Sequence, residues 1–313
     1  MAVELVHRWM GFGVARPQSP TLATRLMAYV DIGRPLVSVM CPFSVAGPAV
    51  LANRGFPPAA TCAIGVFAVL LVGWGIHSIN DFVHHEQDKL IWPGRPIPSG
   101  RVTRREALAI SLACYAGALA ISWFFFSGDS KANFVLLLIG CSAGWLYATY
   151  TRDRVGYLSL PPLVGLFDLG GWAAFSPGTL FSDGTPWLLF LLAVTWQGAH
   201  IMVLSAAFKG GASPNDRVRV PAFFFTPTAK GACALAVGFM LLFWPLTIAL
   251  FVFTDMGLLF LAPALAAGAY ATMSVFRFAQ APADRGRGAQ AFNRLTLLRI
   301  IYPGAMLLHY AVF

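Results

Sequence analysis

Residues 59–79 read AATCAIGVFAVLLVGWGIHSI, and residues 80–89 follow without a break as NDFVHHEQDK. The first stretch contains no Asp, Glu, Lys or Arg, and about 20 such residues make one helical bilayer crossing. The second is crowded with ionisable groups, so one continuous segment passes from a lipid-like to a polar environment. The rest of the chain agrees with this reading. Of 313 residues, 58% are hydrophobic and only 11% charged, with mean hydropathy +0.68, whereas a soluble domain is about one quarter charged. A large soluble domain is excluded. Unbroken apolar runs such as Phe134 to Gly140 and Leu188 to Val194 replace the alternating ten-residue segments of a membrane β-barrel.

Apolar windows predict nine spans, at about 33–53, 59–79, 106–126, 132–150, 158–177, 185–207, 229–252, 256–276 and 291–312. The expected fold is an all-α integral membrane domain over 1–313. All but Arg54 and Lys131 of the 22 Lys and Arg then fall in segments on one side, taking the stretch from Arg277 through Arg294 and Arg299 as one such segment. Positive charge collects in the cytoplasm, which predicts a cytoplasmic N-terminus and an extracytoplasmic C-terminus. The net charge of +9 is explained by these loops and implies anionic headgroups rather than nucleic acid. Cys41, Cys62, Cys114, Cys141 and Cys233 sit in apolar runs without metal-ligand spacing and read as packing residues. No cleaved signal peptide is expected.

Acids gather on the same side as the bases, among them Asp81, Glu86, Asp88, Asp153 and Asp216, which orientation does not require. If the second span continues as a helix, Asn80, His84 and Asp88 fall at i, i+4 and i+8, with Asp81 beside them. Hard oxygen donors in this array suit Mg²⁺, which shares its coordination with substrate phosphate oxygens. Arg95 and Arg101 follow at once and suit a diphosphate. By spacing alone, a solvated loop with scattered charges stays open as the alternative.

The stretch resembles the first aspartate-rich motif of the UbiA superfamily of intramembrane prenyltransferases: an Asn-Asp opening with acids at helical spacing, then Arg95-Pro96-Ile97-Pro98-Ser99-Gly100-Arg101. Arg34-Pro35 and the segment Leu146-Tyr147-Ala148-Thr149-Tyr150-Thr151-Arg152 are similar to further family features. The resemblance implies nine transmembrane helices around a central cavity that holds an isoprenyl diphosphate, with Mg²⁺ and basic residues at the cytoplasmic mouth. Ionisation of the allylic bond would give a carbocation for an aromatic or lipid acceptor to capture. It also implies that the 80–105 loop carries the first motif, that Asn80, Asp81 and Asp88 hold metal, and that Arg95, Arg101 and Arg152 bind diphosphate.

The chain departs from the family twice. His84 stands where an aspartate is usual; imidazole is a poor Mg²⁺ ligand, so His84 is expected to donate to diphosphate or act as a base. In the 208–230 loop the second motif is degenerate: only Asp216-Arg217 resembles its ending. Asp216 is expected at a metal, with Lys209 and Arg217 supplying positive charge to diphosphate. Asp168 lies at membrane depth and is a catalytic candidate, because an intramembrane carboxylate is costly. His200 reads as a packed histidine or a base near the cavity, whereas His77 and Asp31 read as structural.

The leading function is Mg²⁺-dependent prenyl transfer. A terpene cyclase with the same ionisation step and no acceptor is the alternative. A binding protein without activity would have no need of the first motif, and a transporter none of the Arg-Pro-Ile-Pro-Ser-Gly-Arg segment.

Overall fold

The computed structural model describes residues 21–126, 128, 130–154, 156–207 and 228–313. It is all-helical, with α1 Leu22–Asp31, α2 Pro35–Ser38, α3 Met40–Asn53, α4 Ala59–Ile91, α5 Arg104–Ile121, α6 Ala132–Leu146, α7 Pro161–Ala173, α8 Thr185–Ala207, α9 Ala229–Phe253, α10 Leu258–Gln280 and α11 Arg285–Val312. Among the described residues, α4, α5 continued by a π turn to Phe126, α6 continued by a π turn to Thr151, α8, α9, α10 and α11 are long and apolar enough to cross a membrane. An eighth span is present if α1 to α3, bent by 41°, make one crossing. The protein is an integral multi-pass membrane protein.

The expected span at 158–177 is the exception. Its helix, α7, has 13 residues, about 20 Å at 1.5 Å per residue, against a hydrocarbon core of about 30 Å. Proline explains the shortening. Pro161 and Pro162 are admitted only in the first turn, and a second 3₁₀ turn begins at Pro177.

The layers follow from burial. Two thirds of the apolar window of α8 is buried, against 22% for α4, α5 and α6, so α8 is the central helix, packed against α7, α9 and α11. Small residues let the inner helices approach closely. A Cβ on Gly171 of α7 would stand 2.6 Å from the Val45 carbonyl oxygen of α3, and one on Gly33 would stand 2.0 Å from the Trp74 ring of α4. All five cysteines are free.

Two expectations about charge change. Arg294 and Arg299, counted with a basic segment before the last span, belong to α11 itself. Arg294 donates to Ser274 Oγ at 2.6 Å, while Arg299 is buried at the middle of the helix. A sum over sequence windows counts an arginine by position and does not see that α11 begins at Arg285.

Candidate active site

The helix α4 runs 33 residues, to Ile91, so the polar stretch is the end of a membrane helix and the loop proper spans 92–103. The backbone leaves helical geometry at His84 (φ −97°, ψ 15°), a bridge-region conformation frequent at active-site residues. Asp81, His84 and Asp88 are all buried on one face of α4. Asn80, expected on that face, is half-buried. The inward register is therefore i, i+3, i+7, starting at Asp81.

Three arginines from three different segments converge on this face. Arg34 sits between α1 and α2 in a left-handed conformation (φ 47°, ψ 68°), which costs on the order of 1 kcal/mol for a residue with a Cβ. Its Nη2 donates to Asp81 Oδ1. Arg95, in the loop, donates from Nη1 to Asp88 Oδ1 at 2.7 Å, and the same nitrogen lies 3.7 Å from Asp81 Oδ1. Burial and the neighbouring charge of Arg34 push Arg95 below its ordinary value, against the pull of Asp81 and Asp88. Arg152 follows a π turn at Tyr147–Thr151 and donates from Nη2 to Gln87 Oε1 of α4 at 3.2 Å.

The cluster is incomplete as a hydrogen-bond network. Arg34 Nε, His84 Nε2, Asp88 Oδ2 and Arg152 Nε are buried without a partner among the described residues. Buried polar groups normally find one, and each unmade bond costs about 1–3 kcal/mol. Hydrogen-bonding capacity is thus left unused among the described residues. Three arginines and two carboxylates sum to one positive charge, which favours an anion.

Arg101 is a correction. It is 1% exposed, and every one of its nitrogens is engaged: Nη1 with Asp31 Oδ2 at 2.9 Å, Nη2 with the Gly94 carbonyl at 2.9 Å, and Nε with Ser99 Oγ at 2.9 Å. It latches the loop onto α1, its guanidinium bonded to Asp31 and to Gly94 and Ser99 of its own loop. Asp31, read as structural, is its partner.

Asp168 does not join the cluster on α4. It pairs with Arg299 of α11, at 3.4 and 3.3 Å from Nη2 to its two oxygens. His200 is packed: its ring stacks on Trp196 with centroids 5.1 Å apart, and Nε2 lies 3.3 Å from Thr296 Oγ1. Lys209, Asp216 and Arg217 lie outside the described residues. Sequence reasoning missed Arg34 as a site residue, although Arg34-Pro35 was in view, and it missed Gln87 and Arg299. The need of a membrane-buried Asp168 for a cation was the available signal for Arg299. Among the described residues no group of three His, Cys, Asp or Glu could hold a metal by itself.

Known proteins share this fold. Residues 39–298 match the UbiA prenyltransferase family. A protoheme IX farnesyltransferase of Synechococcus sp. (strain JA-2-3B'a(2-13)) is 25% identical over 94% of this chain and 90% of its own. A solved structure of digeranylgeranylglyceryl phosphate synthase superposes with TM-score 0.71 at 17% identity, covering 92% of this chain and 99% of that one. A UbiA homologue from Archaeoglobus fulgidus bound to DMAPP and Mg²⁺ gives TM-score 0.64 at 10% identity, over 91% and 99% of the two chains.

Proposed function

The chain belongs to the UbiA prenyltransferase family, and from that premise we propose that the cluster on α4 binds an isoprenyl diphosphate, promotes its ionisation and delivers the prenyl chain to an acceptor. The observation that carries this reading is the pair of buried carboxylates, Asp81 and Asp88, which share the single Arg95 nitrogen while Asp88 Oδ2 stays unpartnered.

That donor set fits Mg²⁺, the ion bound to the A. fulgidus homologue. Asp81 and Asp88 would hold it with help from Asn80, and when bound it supplies charge neutralisation on the leaving diphosphate. A prenyl diphosphate carries about three negative charges near neutral pH. With one Mg²⁺ it is left with one, which the single positive charge of the described cluster balances. Arg152 Nε, unpartnered among the described residues, donates to a diphosphate oxygen, and His84, whose other ring nitrogen bonds the Ala148 backbone, offers Nε2 as a base. Arg34 and Arg95 stabilise the charge that grows as the allylic C–O bond breaks. Lys209, Asp216 and Arg217 are assigned to the same site, with Lys209 and Arg217 adding positive charge where the second motif is degenerate.

The relatives' names suggest the acceptor class: haem for the farnesyltransferase, a glyceryl phosphate lipid for the archaeal synthase. The basic segments support the reading of a cytoplasmic N-terminus and mouth, with 1–313 read as a single membrane domain. The test is diphosphate release by purified protein from C10, C15 and C20 prenyl diphosphates, with and without Mg²⁺ and with a membrane extract as acceptor source. Mg²⁺-dependent release with prenylated product is expected. A cyclic hydrocarbon formed without extract would make the protein a cyclase, and no release under any condition would overturn the reading.

A further inference from the structure

A second buried ion pair also has unfilled hydrogen-bonding capacity. Arg299, at the middle of α11, donates from Nε to Ser44 Oγ of α3 at 3.0 Å and reaches Asp168 of α7 only at 3.3–3.4 Å. Its guanidinium carbon lies 5.2 Å over the Trp196 ring of α8. Charge-assisted bonds of this kind are usually about 2.7–2.9 Å, and the Arg95–Asp88 and Arg101–Asp31 bonds, at 2.7 and 2.9 Å, meet that standard. The Asp168 pair is slack. A carboxylate offers about four lone-pair sites, and here a single distant nitrogen serves both oxygens.

A neighbouring group is unfilled too. Tyr302, one turn further along α11, is 5% exposed, and its hydroxyl, beside Thr247 of α9, meets the geometry of a hydrogen bond with no partner among the described residues. The place thus has both acceptors and a donor unused. It holds one positive and one negative charge, so an anion seated there would leave net charge at membrane depth, which is costly. A neutral group that both donates and accepts is a hydroxyl.

Its depth follows from the packing. A Cβ on Gly73 of α4 would lie 3.4 Å from Cys41 Sγ, one turn before Ser44 on α3, and Asp81 is eight residues nearer the mouth, about 12 Å along the helix. A group seated at Asp168 is therefore remote from the diphosphate.

We propose that Asp168, Arg299 and Tyr302 form the seat for a neutral hydroxyl, alcohol or phenol, carried by the acceptor at a position remote from the atom that is prenylated. The inference rests on the prenyl-transfer reading for the word acceptor; the seat itself rests on its own residues. Asp168 and Arg299 act as positioning residues that select the acceptor. Binding energy gained away from the reacting atoms then serves to hold the acceptor in line.

The test compares binding of 4-octylphenol, octylbenzene and 4-octylbenzoate to the full chain in one detergent, read by the concentration dependence of thermal stabilisation. The wild type is expected to bind the phenol about tenfold more tightly than octylbenzene, the yield of a hydrogen bond to a charged group. Asp168→Asn leaves Arg299 uncompensated and is expected to shift the preference from the phenol to the benzoate. A purely structural ion pair would not produce that switch. Tyr302→Phe, a smaller change that supports the test if Asp168→Asn fails to fold, should narrow the gap between phenol and octylbenzene. Equal binding of those two by the wild type, or an unchanged phenol preference in both variants, overturns the seat. Diphosphate release from geranyl diphosphate with Mg²⁺ is measured on the same preparation. Its absence beside an intact phenol preference removes the acceptor role and the prenyl-transfer reading together, and leaves only a hydroxyl-binding site.

Discussion

Arg95 and Arg101 stand six residues apart in one loop, and each meets a buried aspartate, yet their surroundings differ in kind. Around Arg101 every nitrogen is matched, to Asp31, Gly94 and Ser99, and no residue in that set is left wanting. Around Arg95 two carboxylates share one nitrogen, and Asp88 Oδ2, His84 Nε2 and Arg34 Nε are unmatched. A closed network stabilises a loop; an open one is stabilised by what it binds. The difference shows which part of a basic, proline-rich motif builds the site and which part does the chemistry.

The largest expected effect lies on the open side. Asp88→Asn or Asp81→Asn should lower diphosphate release per folded molecule by about 10²–10³-fold, the scale of losing one electrostatic contact in a closed site, whatever the fall in melting temperature. Loss of folding without loss of activity per folded molecule would erase the distinction. Arg101→Ala should act on the closed side: breaking a buried ion pair by removing one partner costs about 3–5 kcal/mol, read as a fall in thermal stability and in yield of folded protein.

Arg34→Ala sharpens the comparison, because Arg34 and the metal compete for Asp81. Diphosphate affinity should fall about tenfold as one charge-assisted contact is lost, while the Mg²⁺ concentration for half activity falls as well. A rise in that Mg²⁺ requirement would contradict the arrangement. The smallest effect is expected at Thr103, which caps α5 in a reciprocal pair with Glu106. Thr103→Ala should cost about 1 kcal/mol of stability and leave the Mg²⁺ requirement where it is.

Much of the candidate site was legible because it is local. Asp81, His84 and Asp88 lie on one helical face by spacing, and Arg95 follows within two turns' length of chain. Arg101 was misread because its residue type and motif position match those of Arg95; only Asp31, 70 residues away in sequence, decides its role. Arg299 was hidden by being summed with loop cations, and its partner Asp168 lies 131 residues away. The helical membrane fold was plain from hydropathy, but hydropathy windows pass over Pro161 and Pro177, which cut one expected crossing to the 13 residues of α7.

The most direct measurement is calorimetric titration of the unreactive geranyl S-thiolodiphosphate into the wild type, Asp88→Asn and Arg101→Lys proteins, each with and without Mg²⁺. The open-site account predicts Mg²⁺-dependent binding by the wild type and by folded Arg101→Lys, and its loss in Asp88→Asn. Binding by Asp88→Asn equal to that of the wild type, or binding indifferent to Mg²⁺ throughout, would contradict it.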